Sequence, residues 1–93
     1  MILNLGNDTA IPTGSVVCII NAQNIGESKD STAFINGLTK KCTVVHIDKT
    51  KETKSIIYAI HDDRHYLYYS IINPATLQKR GNNFTFNDLT EDI

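Results

Sequence analysis

Titratable side chains are densest in the segment His61-Asp62-Asp63-Arg64-His65 of this 93-residue chain. Two imidazoles flanking two carboxylates are donor types that bind a divalent metal, and an HxxxH spacing brings both histidines together on a helix. The sequence on either side of the segment is typical of strands, however, and Asp is frequent in turns because its carboxylate hydrogen-bonds the local backbone. The sequence therefore favours a hairpin turn over a metal site.

The other side chains that could do chemistry are Cys18, Cys42 and His46. A nucleophilic thiol needs a neighbouring base and an exposed, electropositive setting, whereas Cys18 lies in an apolar strand and Cys42 directly precedes another. The sequence also has no Ser-His-Asp arrangement, glycine-rich phosphate loop or zinc-ligand spacing. We therefore expect a protein that is not an enzyme and uses no cofactor; an enzyme would need a metal at His61 and His65.

The apolar segments predict an α+β fold: a small, mostly antiparallel sheet of about five strands, one central helix and a short C-terminal helix. The central helix should run from Asp30 or Ser31, either of which could cap it, to about Lys40. The predicted strands are residues 2–5, 15–20, 43–47, 54–60 and 66–72, with a further short strand at 9–11.

The C-terminal helix has signals at both ends. Asn73 can cap its first turn, and Pro74 occupies the first helical position, where its missing N–H costs nothing. Lys79 and Arg80 fall in the last turn, at the negative end of the helix dipole. Gly81 then predicts a left-handed residue that stops the helix.

Length and composition predict one domain over residues 1–81, followed by an acidic tail over 82–93. Hydrophobic residues make up 41% of the chain, with no run long enough to span a membrane and no signal peptide at the N-terminus, so we expect a cytoplasmic protein. Three strands are apolar on both faces, and two short helices cannot easily cover a five-stranded sheet. A second copy of the chain is the simplest cover, which predicts a homo-oligomer.

Positive charge is concentrated in the middle of the chain. Eight of the nine Lys and Arg residues lie between residues 40 and 80 against four carboxylates, so this segment carries +4 although the whole chain carries −1. Such a segment either forms a basic face for nucleic acid or is simply a solvated surface. The residues we expect to contact DNA phosphates are the turn lysines and a second cluster in the C-terminal helix: Lys49, Lys51, Lys54, Lys79 and Arg80.

Tyrosines offer a second possible nucleic-acid surface. Tyr58, Tyr66, Tyr68 and Tyr69 could stack on the bases of single-stranded nucleic acid. Tyrosines on strands are more often core or interface residues, because the ring fits a half-buried sheet surface. The structural interpretation is therefore favoured.

Several of these segments resemble a known family. The opening LNLGND, the strand SVVCII, TKSIIYAI and above all YSIINPATLQKR are similar to the RemA/RemB family of small bacterial extracellular-matrix regulators, with the opening and the Lys-Arg ending closer to the RemB branch. The resemblance covers residues 2 to 80. It implies a cytoplasmic α+β fold related to the LytTR type of DNA-binding domain, assembly into rings, and DNA binding through basic side chains.

The chain departs from the family at its basic positions. Where RemA-like members have an arginine before the strand SVVCII, this chain has Thr13-Gly14-Ser15, and where they have an arginine pair it has Lys51 and Glu52, with Lys54 at a further basic position. Lysine neutralises a phosphate but lacks the guanidinium fork. The resemblance thus implies an oligomeric regulator of matrix and biofilm gene expression that binds duplex DNA. The alternative is a protein-interaction or structural ring subunit without DNA affinity.

Overall fold

A computed structural model of the chain describes residues 1–26 and 28–81. The acidic tail predicted over residues 82–93 lies outside the described residues. Two short 3-10 turns, Thr13–Ser15 and Ala22–Asn24, flank the third strand. The described part of the chain forms these strands and helices: β1 (Ile2–Gly6), β2 (Thr9–Pro12), β3 (Val16–Asn21), α1 (Lys29–Lys41), β4 (Thr43–His46), β5 (Ser55–His61), β6 (Arg64–Ser70) and α2 (Pro74–Arg80).

The strands form two sheets. β3, β5, β6 and β4 lie side by side in that order; β5 is antiparallel to both of its neighbours, and β4 is parallel to β6. β1 and β2 form a separate antiparallel hairpin. The predicted α+β class with mostly antiparallel strands is confirmed. The sheet of about five strands is instead four strands plus a two-stranded hairpin, a division that strand periodicity cannot reveal because it does not specify pairing partners.

Alternate residues of β5 face two apolar clusters on opposite sides of the four-stranded sheet. Ile57 and Ala59 pack with Leu3 and Leu5 of the β1–β2 hairpin and with Leu77 of α2. On the other face, Ile56 of β5 and Leu67 of β6 pack with Ile35 of α1. The hairpin therefore supplies part of the cover that the sequence assigned to a second copy of the chain. The homo-oligomer stays a prediction, carried by the family resemblance rather than by a bare sheet face.

The helix boundaries follow local capping. Asn73 Oδ1 accepts hydrogen bonds from the N–H groups of Ala75 (2.9 Å) and Thr76 (3.4 Å), and Pro74 is the first residue of α2, as predicted. The cap predicted for α1 is wrong by two or three residues, because Ser28 accepts from Ser31 N (3.1 Å) and α1 begins at Lys29.

Gly81 does not have the left-handed conformation predicted for it. Its φ is −96° and its ψ is 27°, angles open to other residues, and its N–H donates to Leu77 O at 3.0 Å. The left-handed residues outside glycine are Asn7, Asp8, Asp62 and Asp63 among the described positions. These four form the two hairpin turns, where a type I′ geometry needs positive φ at both central residues.

Candidate nucleic-acid interface

One end of the four-stranded sheet gathers three loops of the chain. β3, β6 and β4 all end there, and β5 begins there, because β5 runs opposite to its neighbours. We call this the crossover end and define it as residues 21–23, the loop 47–54 and residues 71–73. The loop 47–54 carries the chain from the edge strand β4 past the end of β6 into β5. The pairing order thus brings Lys49, Lys51 and Lys54 to one end of the sheet.

Backbone hydrogen bonds fix both ends of the loop 47–54. Ile47 N donates to Tyr69 O at 3.0 Å, and Lys54 N donates to Ser70 O at 2.8 Å. The carbonyl of Lys54 in turn accepts from Ala22 N at 3.0 Å, which ties the loop to the end of β3. The Cα of Lys54 is therefore held between two strand ends while its side chain is exposed.

Asp48 organises the middle of this loop. One carboxylate oxygen accepts from the backbone N–H of Thr50 at 2.9 Å and from its hydroxyl at 2.6 Å. These hydrogen bonds to Thr50 are the main cause that lowers the pKa of Asp48 below its ordinary value of 3.8. Lys49 lies inside this turn and Lys51 directly follows it; both side chains are exposed, as is that of Glu52. The loop presents three cations against two carboxylates, one of which is already engaged by Thr50.

A polar groove of about 350 Å³ opens beside Lys54. It lies between the end of β3 with the 3-10 turn that follows it and one side of α2. Besides Lys54, its lining consists of Asn21, Gln23, Asn73, Pro74, Ala75 and Gln78. Four of these side chains are primary amides, which sequence reasoning did not connect because they come from segments fifty residues apart. Their proximity follows from the strand order, which no local signal in the sequence encodes.

Lys79 and Arg80 lie at the other end of α2. Seven helical residues rise about 10 Å, so these two cations lie up to about that far from Asn73 at the helix start. Neither of them lines the groove, although Gln78, which precedes Lys79, does. Arg80 Nη1 donates to Asn4 O at 3.1 Å, which ties α2 to β1. Of the five predicted DNA-contacting residues, the structure therefore brings three together at the crossover end and leaves Lys79 and Arg80 apart.

The opposite end of the sheet, which we call the hairpin end, comprises residues 40–43 and 61–65. His61 pairs with Arg64 across a two-residue turn formed by Asp62 and Asp63, so the hairpin predicted for this segment is confirmed. His61 Nε2 lies 3.4 Å from Asp62 Oδ2. In the part of the chain that the structure describes, no group of three or more His, Cys, Asp and Glu side chains is placed to hold a metal ion.

The cysteines are not set up as nucleophiles. Burial raises the pKa of the Cys18 thiol, which disfavours the reactive thiolate. Burial also raises the pKa of Cys42, only partly opposed by the neighbouring Lys41. Both thiols are free.

Three of the four tyrosines pack against the core. Tyr68 contacts the apolar cluster under the β1–β2 hairpin, and Tyr58 and Tyr69 contact the cluster under α1. Tyr58 is further held by a 2.6 Å hydrogen bond between its hydroxyl and His65 Nδ1, and Tyr66 stacks on Tyr68 with ring centres 5.8 Å apart. The structural interpretation of the strand tyrosines agrees with this packing.

Among residues 1–26 and 28–81, no helix has the length and apolar composition needed to cross a lipid bilayer.

Taken together, the fold and the crossover end define a small α+β protein that presents lysines and amide donors on its surface. A comparison with family models identifies the class more closely: the model of the RemA-like family, described as extracellular matrix regulatory protein A-like, matches residues 2–80. The chain therefore belongs to the RemA-like family. A search of curated proteins finds no significant match.

Proposed function

We propose that this protein is a cytoplasmic, oligomeric regulator of extracellular-matrix gene expression that binds duplex DNA through phosphate contacts at the crossover end. The observation that carries the proposal is the RemA-like match over residues 2–80, joined to the gathering of Lys49, Lys51 and Lys54 at one end of the sheet. Within the family, the LGND opening and the Lys79-Arg80 ending favour the RemB branch.

The chemistry of the crossover end suits phosphate contacts better than base recognition. Lysine ammonium groups are mobile point charges that neutralise phosphates, whereas bidentate recognition of a guanine edge requires the planar fork of arginine. All three lysines are exposed and lie on an ordered loop, so they can reach a DNA backbone without disturbing the core. Binding of this kind depends weakly on DNA sequence and strongly on salt.

Fluorescence anisotropy with a labelled duplex tests the DNA contacts. Lys51→Ala/Lys54→Ala should weaken binding to all duplexes alike and reduce the slope of log affinity against log salt by roughly 0.9 for each phosphate that is no longer neutralised. Glu52→Arg should strengthen binding, because it replaces a carboxylate that repels phosphate with a cation in the same exposed loop.

Lys79→Ala/Arg80→Ala is the matched control, since it removes two cations at the far end of α2. Binding that survives the loss of Lys51 and Lys54 but disappears with Lys79 and Arg80 would place the DNA surface at the far end of α2 and contradict the proposal. A parent protein that does not bind duplex DNA even at low salt would end the DNA proposal.

Assembly is tested separately by size-exclusion chromatography with light scattering, with and without duplex DNA. The proposed oligomer should elute with a mass several times that of one 10.4 kDa chain. A uniform 10.4 kDa species at micromolar concentration would rule the oligomer out.

A second candidate function is that of an interaction or structural ring subunit without DNA affinity. Two observations favour it: the acidic Glu52 stands where RemA-like members have a basic residue, and Phe34 on α1 is 54% exposed. This alternative predicts an oligomer whose mass is unchanged by DNA. Any DNA association it shows should also lack the steep salt dependence of phosphate contacts.

A further inference from the structure

Two of the side chains that line the groove beside Lys54, Asn21 and Asn73, have their amide oxygens engaged and their NH₂ donors free of those hydrogen bonds. Asn21 Oδ1 accepts from Gln23 N at 3.0 Å, and Asn73 Oδ1 accepts from Ala75 N at 2.9 Å. A backbone N–H can only donate, so the oxygen of each side-chain amide must face the backbone. The NH₂ group is the other branch of the same planar amide and must therefore point away from it.

Local hydrogen bonds hold the Asn21 and Asn73 side chains and the backbone of Lys54 in place. Asn21 caps the 3-10 turn Ala22–Asn24 and Asn73 caps α2, so the hydrogen bonds of each cap fix the amide. The backbone of Lys54 lies between them in the hydrogen-bond network, bonded to Ala22 N and Ser70 O. The first N–H groups of α2 are already occupied by Asn73, so the binding capacity of the groove comes from side chains and not from the helix end.

We propose that this groove is a phosphate-binding site in which Lys54 supplies the charge and the NH₂ groups of Asn21 and Asn73 supply oriented hydrogen bonds. A cation flanked by two fixed NH₂ donors matches an anion that offers acceptor oxygens on several sides. The nearby Gln23 and Gln78 side chains are exposed and can adjust to the rest of the ligand. Among residues 1–26 and 28–81, no carboxylate lines the groove to repel the anion.

This inference rests in part on the proposed function, because the DNA backbone is one source of the phosphate. The other source is a free phosphorylated small molecule, for which a volume of about 350 Å³ is adequate. The chemistry is shared by both, so the experiment needs a DNA arm and a small-molecule arm.

Asn→Asp variants separate the proposed binding role from capping. Asp caps a helix about as well as Asn, so Asn73→Asp should keep the hydrogen bonds to α2 and the urea midpoint of unfolding. It replaces the NH₂ donor by a carboxylate oxygen and should weaken phosphate binding by about tenfold or more. Asn21→Asp should act alike. Asn73→Ser keeps a cap without adding charge and should give a smaller loss in the same direction.

Asn36→Asp on the exposed side of α1 is the charge-matched control, since Asn36 lies outside this groove. Each variant is titrated with labelled duplex DNA by anisotropy and with inorganic pyrophosphate by calorimetry. The inference is supported if Asn73→Asp weakens binding well beyond Asn36→Asp in either arm.

The two arms also separate the inference from the proposed function. If the parent binds pyrophosphate through the groove but does not bind DNA, the groove stands and the DNA proposal fails. If DNA binds and Asn73→Asp behaves as Asn36→Asp does in both arms, the groove is not a phosphate site, while the DNA proposal survives. If the parent binds neither probe, both fail.

Discussion

The crossover end and the hairpin end of the sheet carry the same formal charge in different settings. Each has three cations and two carboxylates: Lys49, Lys51 and Lys54 with Asp48 and Glu52 at one end, and Lys40, Lys41 and Arg64 with Asp62 and Asp63 at the other. From formal charge alone, the two ends would be expected to attract DNA equally.

What differs is where the carboxylates and the neutral donors lie. At the hairpin end, Asp62 and Asp63 form the tip of the turn, and the Asp62 side chain is 86% exposed, so an approaching phosphate would meet negative charge first. At the crossover end, Asp48 is engaged by Thr50, and Asn21 and Asn73 add oriented donors beside Lys54. The comparison teaches that the arrangement of the carboxylates, rather than net charge, distinguishes the two ends.

The largest expected effect concerns what anchors the crossover end. The buried Ser70 hydroxyl donates to Leu5 O at 2.7 Å and accepts from Ile72 N at 3.1 Å. Ser70→Ala would leave both groups without that partner in the interior and should lower the free energy of unfolding by about 2–3 kcal/mol in urea denaturation.

Thr43→Val is the matched control for Ser70→Ala, because it removes an exposed hydroxyl at the hairpin end. It should change the stability by less than about 0.5 kcal/mol. Equal losses in the two variants would mean that the crossover end has no special anchor.

At the hairpin end we expect a substitution that stabilises the protein, by less than Ser70→Ala destabilises it. Asp63 has a φ of 64° in the β5–β6 turn, where glycine is the preferred residue because it has no Cβ. Asp63→Gly should therefore raise the free energy of unfolding by up to about 1 kcal/mol and remove one of the carboxylates from the turn tip. Thermal denaturation measures the stability, and a lowered melting temperature would show that the Asp63 side chain itself stabilises the turn.

The smallest effect is a pH dependence at Asp48. The hydrogen bonds from Thr50 lower the folded-state pKa, so the stabilisation that they give is complete above the ordinary value of 3.8 and is lost as the pH falls through the folded-state value. The parent should therefore be more stable than Asp48→Asn near neutral pH, and the difference should shrink below pH 3.8. A difference that is constant with pH would show that the stabilisation by Asp48 does not depend on its charge.

Most of the secondary structure could be predicted from local patterns in the sequence. The Asn73-Pro74 helix start, the β5–β6 hairpin and the apolar strands are each specified within a few neighbouring residues, and the structure places them close to the predicted positions. The separation of β1 and β2 from the main sheet was missed, because both strands have ordinary periodicity and only long-range packing assigns their partners.

The candidate site could be predicted only in part, because some of its residues have local signals and others depend on long-range strand pairing. The lysines of the loop 47–54 are visible as charges in a turn, whereas the contribution of Asn21 and Asn73 depends on the strand order that brings residues 21, 54 and 73 together. Gly81 shows the converse error: a glycine after a helix predicts a left-handed residue, but here the backbone of Gly81 simply continues to a hydrogen bond with Leu77.

The salt dependence of DNA binding compares the two ends most directly. Anisotropy with one labelled duplex, between about 50 and 200 mM salt, would compare the parent with Lys49→Ala/Lys51→Ala/Lys54→Ala and with Lys40→Ala/Lys41→Ala/Arg64→Ala. Each triple variant removes three positive charges. We expect the crossover variant to reduce the slope of log affinity against log salt by roughly 2.7, and the hairpin variant to leave it close to that of the parent. Equal reductions in both variants, or a larger one in the hairpin variant, would contradict the assignment of DNA binding to the crossover end.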